Sequence, residues 1–230
     1  MSAMNIAVLV PVKKLDKAKM RMADTLDRSQ RRQLMMVTLR RVLSALQKAQ
    51  IGDVYLVASD PQVKDMACDL CVKFIPDQGD ELNPSLELAR GELCQNYDAL
   101  LVVFGDLPMI SDKDIKTIVR LGSSKPSCVI APDKRNVGTN VLFLHPPYLL
   151  PFTFGGNSYE RFRSNCEKLG VQFLVYQSQN TALDLDYPQN ILDLAALRGH
   201  KISGLEEILD PGVLAQISQV TSMSGAKMGA

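Results

Sequence analysis

No apolar run in this 230-residue chain approaches the roughly 20 residues that a membrane-spanning helix needs, so a membrane partner is not expected. Neither a G-x-x-x-x-G-K-[ST] P-loop nor a G-x-G-x-x-G fingerprint follows the first strand-like run, which removes two standard ways of cradling phosphates. Any phosphate has to be held by side-chain charge or by the positive end of a helix. Histidine occurs only at His145 and His200, far apart in sequence. The five cysteines, Cys68, Cys71, Cys94, Cys128 and Cys166, are odd in number, and the C-x-x-C at Cys68 and Cys71 has no second pair. Zinc and redox chemistry are therefore not expected, and with no leader-like segment ahead of them the cysteines point to a reduced, cytoplasmic chain. A net charge of +1 argues through bulk electrostatics against a nucleic-acid partner, although the average hides a local basic stretch.

What is present is an alternation of strand and helix patterns. Residues 5–12 (N-I-A-V-L-V-P-V) form a nearly continuous apolar run, the pattern of a parallel strand buried on both faces. A long amphipathic helix is predicted over 28–50, with Leu34, Thr38, Val42, Ala45, Leu46 and Ala49 on one stripe. Strand, helix, strand and helix follow over 54–58, 61–70, 72–75 and 84–95, then a strand over 99–104 and a helix over 112–121. Strands at 128–131 and 140–144 are close enough for antiparallel pairing. A helix at 158–169, a strand at 171–176 and a helix at 188–198 complete the pattern. It predicts an α/β fold, a doubly wound, mostly parallel mixed sheet with helices on both faces and ligands over the strands' carboxyl ends. A single domain is expected over 1–209. Helical character over 205–220 is expected to break at Pro211-Gly212, with residues 210–230 a helix end and flexible tail.

Three charged clusters could carry chemistry. Between Lys13 and Arg41 the chain has ten Lys or Arg and three Asp. Lys13, Lys14, Lys19 and Arg21 follow the first strand, where Lys19 and Arg21 are the preferred phosphate pair; the alternative for this basic stretch is a solvated face. The run A-L-L-V-V-F ends in Gly105-Asp106-Leu107-Pro108, which delivers one carboxylate to the tip of a buried strand. An Asp there can bind Mg²⁺, a cation that uses one or two carboxylates together with substrate phosphate oxygens. Asp184 and Asp186 flank Leu185, so in an extended segment both carboxylates face one side. A plain helix entry ahead of Pro188 is the alternative reading of that pair.

Taken in order, Pro11-Val12-Lys13 with Ala18-Lys19-x-Arg21, Gly105-Asp106-Leu107-Pro108, Ala131-Pro132-Asp133 with Gly138-Thr139-Asn140, Phe154-Gly155-x-x-Ser158-Tyr159 and Asp184-Leu185-Asp186-x-Pro188 resemble the 2-phospho-L-lactate guanylyltransferase family of deazaflavin coenzyme biosynthesis, over about residues 4–200. The resemblance implies a glycosyltransferase-A-like nucleotidyltransferase that uses GTP and Mg²⁺, acts on a phosphorylated three-carbon acid and releases pyrophosphate. It implies that Asp106 with Asp186, or Asp184, holds the metal and that Lys19 and Arg21 serve the phosphates. Thr139, Gly155 and Ser158 would hold the acid, and Lys13, Asn83 and Ser85 would lie beside the nucleotide. Phe162 stands where many relatives place His. Phospholactate is the first-choice acid and phosphoenolpyruvate the alternative. A sugar transferase with Asp184-Leu185-Asp186 as its D-x-D motif, or a catalytically idle nucleotide-binding domain, would be the rivals. A homodimer, and hand-over of a labile product to the next enzyme, are further expectations.

Overall fold

The computed structural model describes residues 4–15, 19–77, 79, 81–123, 126–198 and 202–226. Ala18, His200, the last four residues of the expected tail and the side chain of Cys94 lie outside the described residues. Among the described residues, seven strands form one sheet: β1 (Ile6–Val12), β2 (Asp53–Ala58), β3 (Lys73–Pro76), β4 (Ala99–Val103), β5 (Ser127–Pro132), β6 (Thr139–His145) and β7 (Gln172–Val175). Their order is β3-β2-β1-β4-β6-β5-β7. All neighbours are parallel except at β6, which runs antiparallel to both β4 and β5. This is the expected mixed, mostly parallel sheet.

The helices are α1 (Arg28–Ala49), α2 (Pro61–Asp69), α3 (Leu82–Leu93), α4 (Asp112–Leu121), α5 (Ser158–Leu169), the one-turn α6 (Gln179–Ala182), α7 (Pro188–Arg198) and α8 (Pro211–Ala226). Every residue of β1 and β4 is buried, as continuous apolar runs in a two-sided sheet require. On one face Val8, Val10 and Leu101 pack against Leu39 and Val42 of α1 and Ile118 of α4. On the other, Leu9 and Leu142 pack against Leu86 of α3 and Phe162 of α5. Phe162 is fully buried there as core. A capping box closes the start of α1: Asp27 accepts from the Gln30 amide, and the Gln30 side chain accepts from Asp27.

A third apolar cluster lies beside the sheet. It joins Met22 and Leu34 to Leu185, Ile191, Leu205 and Ile217. The break expected at Pro211-Gly212 is instead a beginning. Proline at the first helical position gives up a hydrogen bond that no helix makes there. Asp210 takes the capping place, its side chain accepting from the Gly212 amide at 2.8 Å and its carbonyl from the Leu214 amide at 2.9 Å. Residues 206–209 form turns, and the helix runs from Pro211 to Ala226.

Candidate active site

β1 and β4 are parallel neighbours, whereas β2 and β3 lie on the far side of β1. The chain reverses its direction of travel across the sheet between them, and the crevice over their carboxyl ends is where such folds bind ligands. Beyond β1 come Lys13 and Lys14; beyond β4 come Phe104, Gly105 and Asp106. Gly105 suits this passage, because a Cβ there would lie 3.0 Å from Leu39 Cδ1 and 3.1 Å from Met35 Cε of α1. A cleft of about 360 Å³ opens here, lined among others by Lys13, Lys19, Arg21, Phe104, Asp106 and Asp186.

The acidic pair reaches this edge through the backbone. The Leu185 amide donates to the carbonyl of Asp106 at 3.2 Å, while the Leu185 side chain is fully buried in the third cluster. The neighbouring carboxylates are thereby left facing the β4 terminus. Lys19 Nζ donates to Asp106 Oδ2 at 2.5 Å and to Asp186 Oδ1 at 2.8 Å, with its side chain only 5% exposed. Arg21 donates to Asp186 Oδ2 at 3.2 Å and lies over the Tyr187 ring.

The electrostatics are uneven. Burial would depress the Lys19 pKa, but the charges of Asp106 and Asp186 and its hydrogen bonds to them outweigh burial and hold it above its ordinary value. Burial would raise Asp186, and the charge and hydrogen bond of Lys19, helped by Arg21 and Lys13, hold it low instead. For Asp184 the compensation, a backbone hydrogen bond and the charge of Lys19, is too weak. Burial, followed by the charges of Asp106 and Asp186, pushes its carboxyl up to about 7. Among the described residues, the three carboxyl groups face the enclosed ammonium of Lys19, the exposed guanidinium of Arg21 and, at longer range, Lys13.

The expected acid-binding residues come together by a second route. Because β6 runs antiparallel to β4, it begins where β4 ends: the Phe104 amide donates to the Asn140 carbonyl at 3.2 Å. Thr139 therefore sits on the same sheet edge as Asp106. The turn ahead of it is closed by Asp133, whose side chain accepts from the Val137 amide at 2.8 Å. Ser158, first residue of α5, donates its hydroxyl to Thr139 Oγ1 at 3.0 Å, and its amide donates to the carbonyl of Gly155. Gly155 has φ +109°, a conformation that favours glycine. Thr139, Gly155 and Ser158 thus form one group, beside the cleft and not in its lining.

The three expected nucleotide-side residues separate. Lys13 and Ser85 line a smaller cavity of about 70 Å³ adjoining the cleft. Asn83 turns instead toward the loop before α5, pairing through its side chain with both the amide and the carbonyl of Phe154. Ser59 and Asp77 also line the smaller cavity and had not been singled out. Each lies within a residue of the end of a strand, β2 and β3, which is the same signal that marks Lys13 and Asp106. A further polar hub, also missed, lies beneath the acidic loop. Asp114 accepts from Ser111, Tyr176, Ser178 and Asn180 at 2.5 to 3.0 Å, and Asn140 donates to the Thr181 carbonyl at 2.9 Å. Those bonds tie the approach to Asp184 to α4 and β6.

Comparison with known proteins gives the family and the fold. The family model described as "Guanylyl transferase CofC like" matches residues 6–206. The chain is 99% identical over 230 residues, the whole of both chains, to a phosphoenolpyruvate guanylyltransferase of Thermobaculum terrenum. It is 36% identical over 197 residues, 85% of this chain and 96% of the relative, to a phosphoenolpyruvate guanylyltransferase of Rubrobacter xylanophilus. Identity to a 2-phospho-L-lactate guanylyltransferase of Methanocaldococcus infernus is 28% over 183 residues, 80% of this chain and 81% of the relative. Among solved structures, a cytidylyltransferase of Leptospira borgpetersenii shares the fold at TM-score 0.56 and 13% identity, covering 96% of each chain. With a matched region that begins at β1 and extends past the last acidic pair, the chain belongs to the Guanylyl transferase CofC like family, a family of nucleotidyltransferases.

Proposed function

We propose that this guanylyltransferase transfers GMP from GTP to phosphoenolpyruvate, with 2-phospho-L-lactate as the second candidate acid, in deazaflavin coenzyme biosynthesis. The observation that carries the reading is the convergence of Asp106, Asp186 and Lys19 over the ends of β1 and β4, with Thr139 and Ser158 at the adjoining start of β6. Family membership sets the sugar-transferase and idle-domain rivals aside. The preference for phosphoenolpyruvate over the phospholactate first favoured from sequence rests on the names of the relatives at 99% and 36% identity; the phospholactate name belongs to one at 28%.

The reaction needs no covalent protein nucleophile. A phosphate oxygen of the acid forms a bond to the α-phosphorus of GTP as the bond to the bridging oxygen breaks, giving a diphosphate-linked product and pyrophosphate. The side chains act by position and charge. Lys13, Lys19 and Arg21 present three cations to the cleft that would take the triphosphate. The Thr139 and Ser158 hydroxyls and the open backbone at Gly155 suit a carboxylate.

Mg²⁺ fits the donors at the cleft. Among the described residues no group of three or more His, Cys, Asp or Glu side chains forms a ready metal cage. Mg²⁺ does not require one, since it takes one or two carboxylates and completes its shell with water and phosphate oxygens. Burial is the larger cause of the raised Asp184 pKa, and the carboxylate charge of Asp106 and Asp186 that adds to it is what a divalent cation would relieve. Asp106 and Asp186 would hold the ion, with Asp184 as the alternative ligand. When bound, it would neutralise charge accumulating on the phosphates. The test is pyrophosphate release across GTP, ATP, CTP and UTP, each with either acid. Release confined to GTP with phosphoenolpyruvate fits the proposal, GTP with phospholactate changes the acid alone, and no release from any pair contradicts it.

A further inference from the structure

We infer that Lys19 is the resting counter-ion of the metal site: its ammonium and a divalent cation are alternative occupants of the same two carboxylate oxygens. The inference rests on the reading of Asp106 and Asp186 as metal ligands. Those carboxylates come from segments 80 positions apart in the chain and converge on Nζ at 2.5 and 2.8 Å. Brought together without a cation between them, they would repel. Lys19 is the enclosed cation of the cluster, at 5% side-chain exposure against 61% for Arg21, which touches only the outer oxygen of Asp186. Its backbone is set for this task. Lys19 adopts φ +52°, ψ +37°, a left-handed conformation uncommon for a residue with a Cβ. The Met22 amide donates to the Lys19 carbonyl at 2.9 Å, and the Met22 side chain is fully buried in the third cluster. The turn that carries Lys19 is therefore anchored by a hydrophobic side chain three residues on.

A divalent cation held by both carboxylates would compete with Lys19 for their charge, and a like charge within about 3 Å is strongly repelled in a half-buried site. Loading the site therefore means that Lys19 gives up at least one carboxylate. The ammonium released lies in the cleft also lined by Lys13 and Arg21, so it would next seek an anion, and a nucleotide triphosphate supplies one. Metal and nucleotide binding become coupled through one side chain, each favouring the other.

The test is Mn²⁺ titration of the nucleotide-free protein, followed by electron paramagnetic resonance of the free ion, for the unmodified chain, Lys19→Ala and Asp106→Asn. Lys19→Ala is expected to bind Mn²⁺ more tightly by about tenfold or more, from removal of the competing charge. Equal or weaker binding in folded Lys19→Ala overturns the exchange while leaving the metal reading intact. No Mn²⁺ binding by either the unmodified chain or Lys19→Ala, or undiminished binding by Asp106→Asn, overturns the metal reading and the inference with it. If circular dichroism shows Lys19→Ala unfolded, Lys19→Met keeps the stem and takes its place. In the unmodified protein, labelling of Lys19 by an amine-reactive reagent, read by mass spectrometry, should rise with saturating Mn²⁺. Unchanged or reduced labelling would contradict release of the ammonium.

Discussion

Asp106, Asp184 and Asp186 meet at one strand end yet carry different loads. Asp106 and Asp186 hold Lys19 between them, whereas Asp184 keeps a proton up to about pH 7. Asp106→Asn preserves shape and removes a charge, so the folded variant should lose turnover on the order of a hundredfold or more, measured as pyrophosphate release. Asp184→Asn should do something else as well. The unfolded chain releases this proton near its ordinary pKa of 3.8, and the folded chain holds it to about 7. Between those values the folded state binds more protons, so Asp184 erodes stability as pH rises across the window. In thermal melts without metal, Asp184→Asn should exceed the unmodified chain by a few degrees at pH 8, on the order of 1–2 kcal/mol, and the gain should vanish near pH 4. A gain independent of pH would contradict this account of the site's charge. At this scale the sequence was informative where a charged residue follows an apolar strand, as at Lys13 and Asp106. It named Asn83 beside the nucleotide but gave no sign of its pairing with Phe154, because a side chain's partner across 71 positions leaves no local trace.

Among the elements, β6 does the most to assemble the site. Its reversed direction puts Thr139 beside the end of β4, and α5 then brings Ser158 to it. The third apolar cluster holds the other half, since Met22 below the basic turn and Leu185 between the acidic residues share it with Ile217 of α8. Ile217→Ala should therefore cost about 2–4 kcal/mol, as fully buried aliphatic truncations do, and denaturant unfolding would measure it. Gly52 shows how closely elements pass. A Cβ there would lie 2.1 Å from the Ile6 carbonyl oxygen, so Gly52→Ala should destabilise by about 1–3 kcal/mol or more. The strands and long helices were legible from the sequence because buried parallel strands read as unbroken apolar runs and α1 shows its stripe in full. The start of α8 was not. Proline and glycine signal a break by composition, and only the Asp210 cap turns that signal into a helix entry.

For the whole molecule, order along the chain carried more information than any single motif. Gly105-Asp106-Leu107-Pro108 alone is a common turn, but five short motifs in register predicted a group of side chains that the sheet topology gathers on one edge. What the sequence left open is the acid: phosphoenolpyruvate and phospholactate differ only by reduction of one carbon–carbon double bond, and the proposed acid site at Thr139, Gly155 and Ser158 suits either. The central claim is that this edge joins GMP to a phosphorylated three-carbon acid. Its most direct test is Mg²⁺-dependent pyrophosphate release from GTP with phosphoenolpyruvate, beside the same assay with phospholactate and with no acid. The account predicts release with phosphoenolpyruvate, far slower release with phospholactate and none without an acid. A folded protein that releases no pyrophosphate with either acid would contradict it.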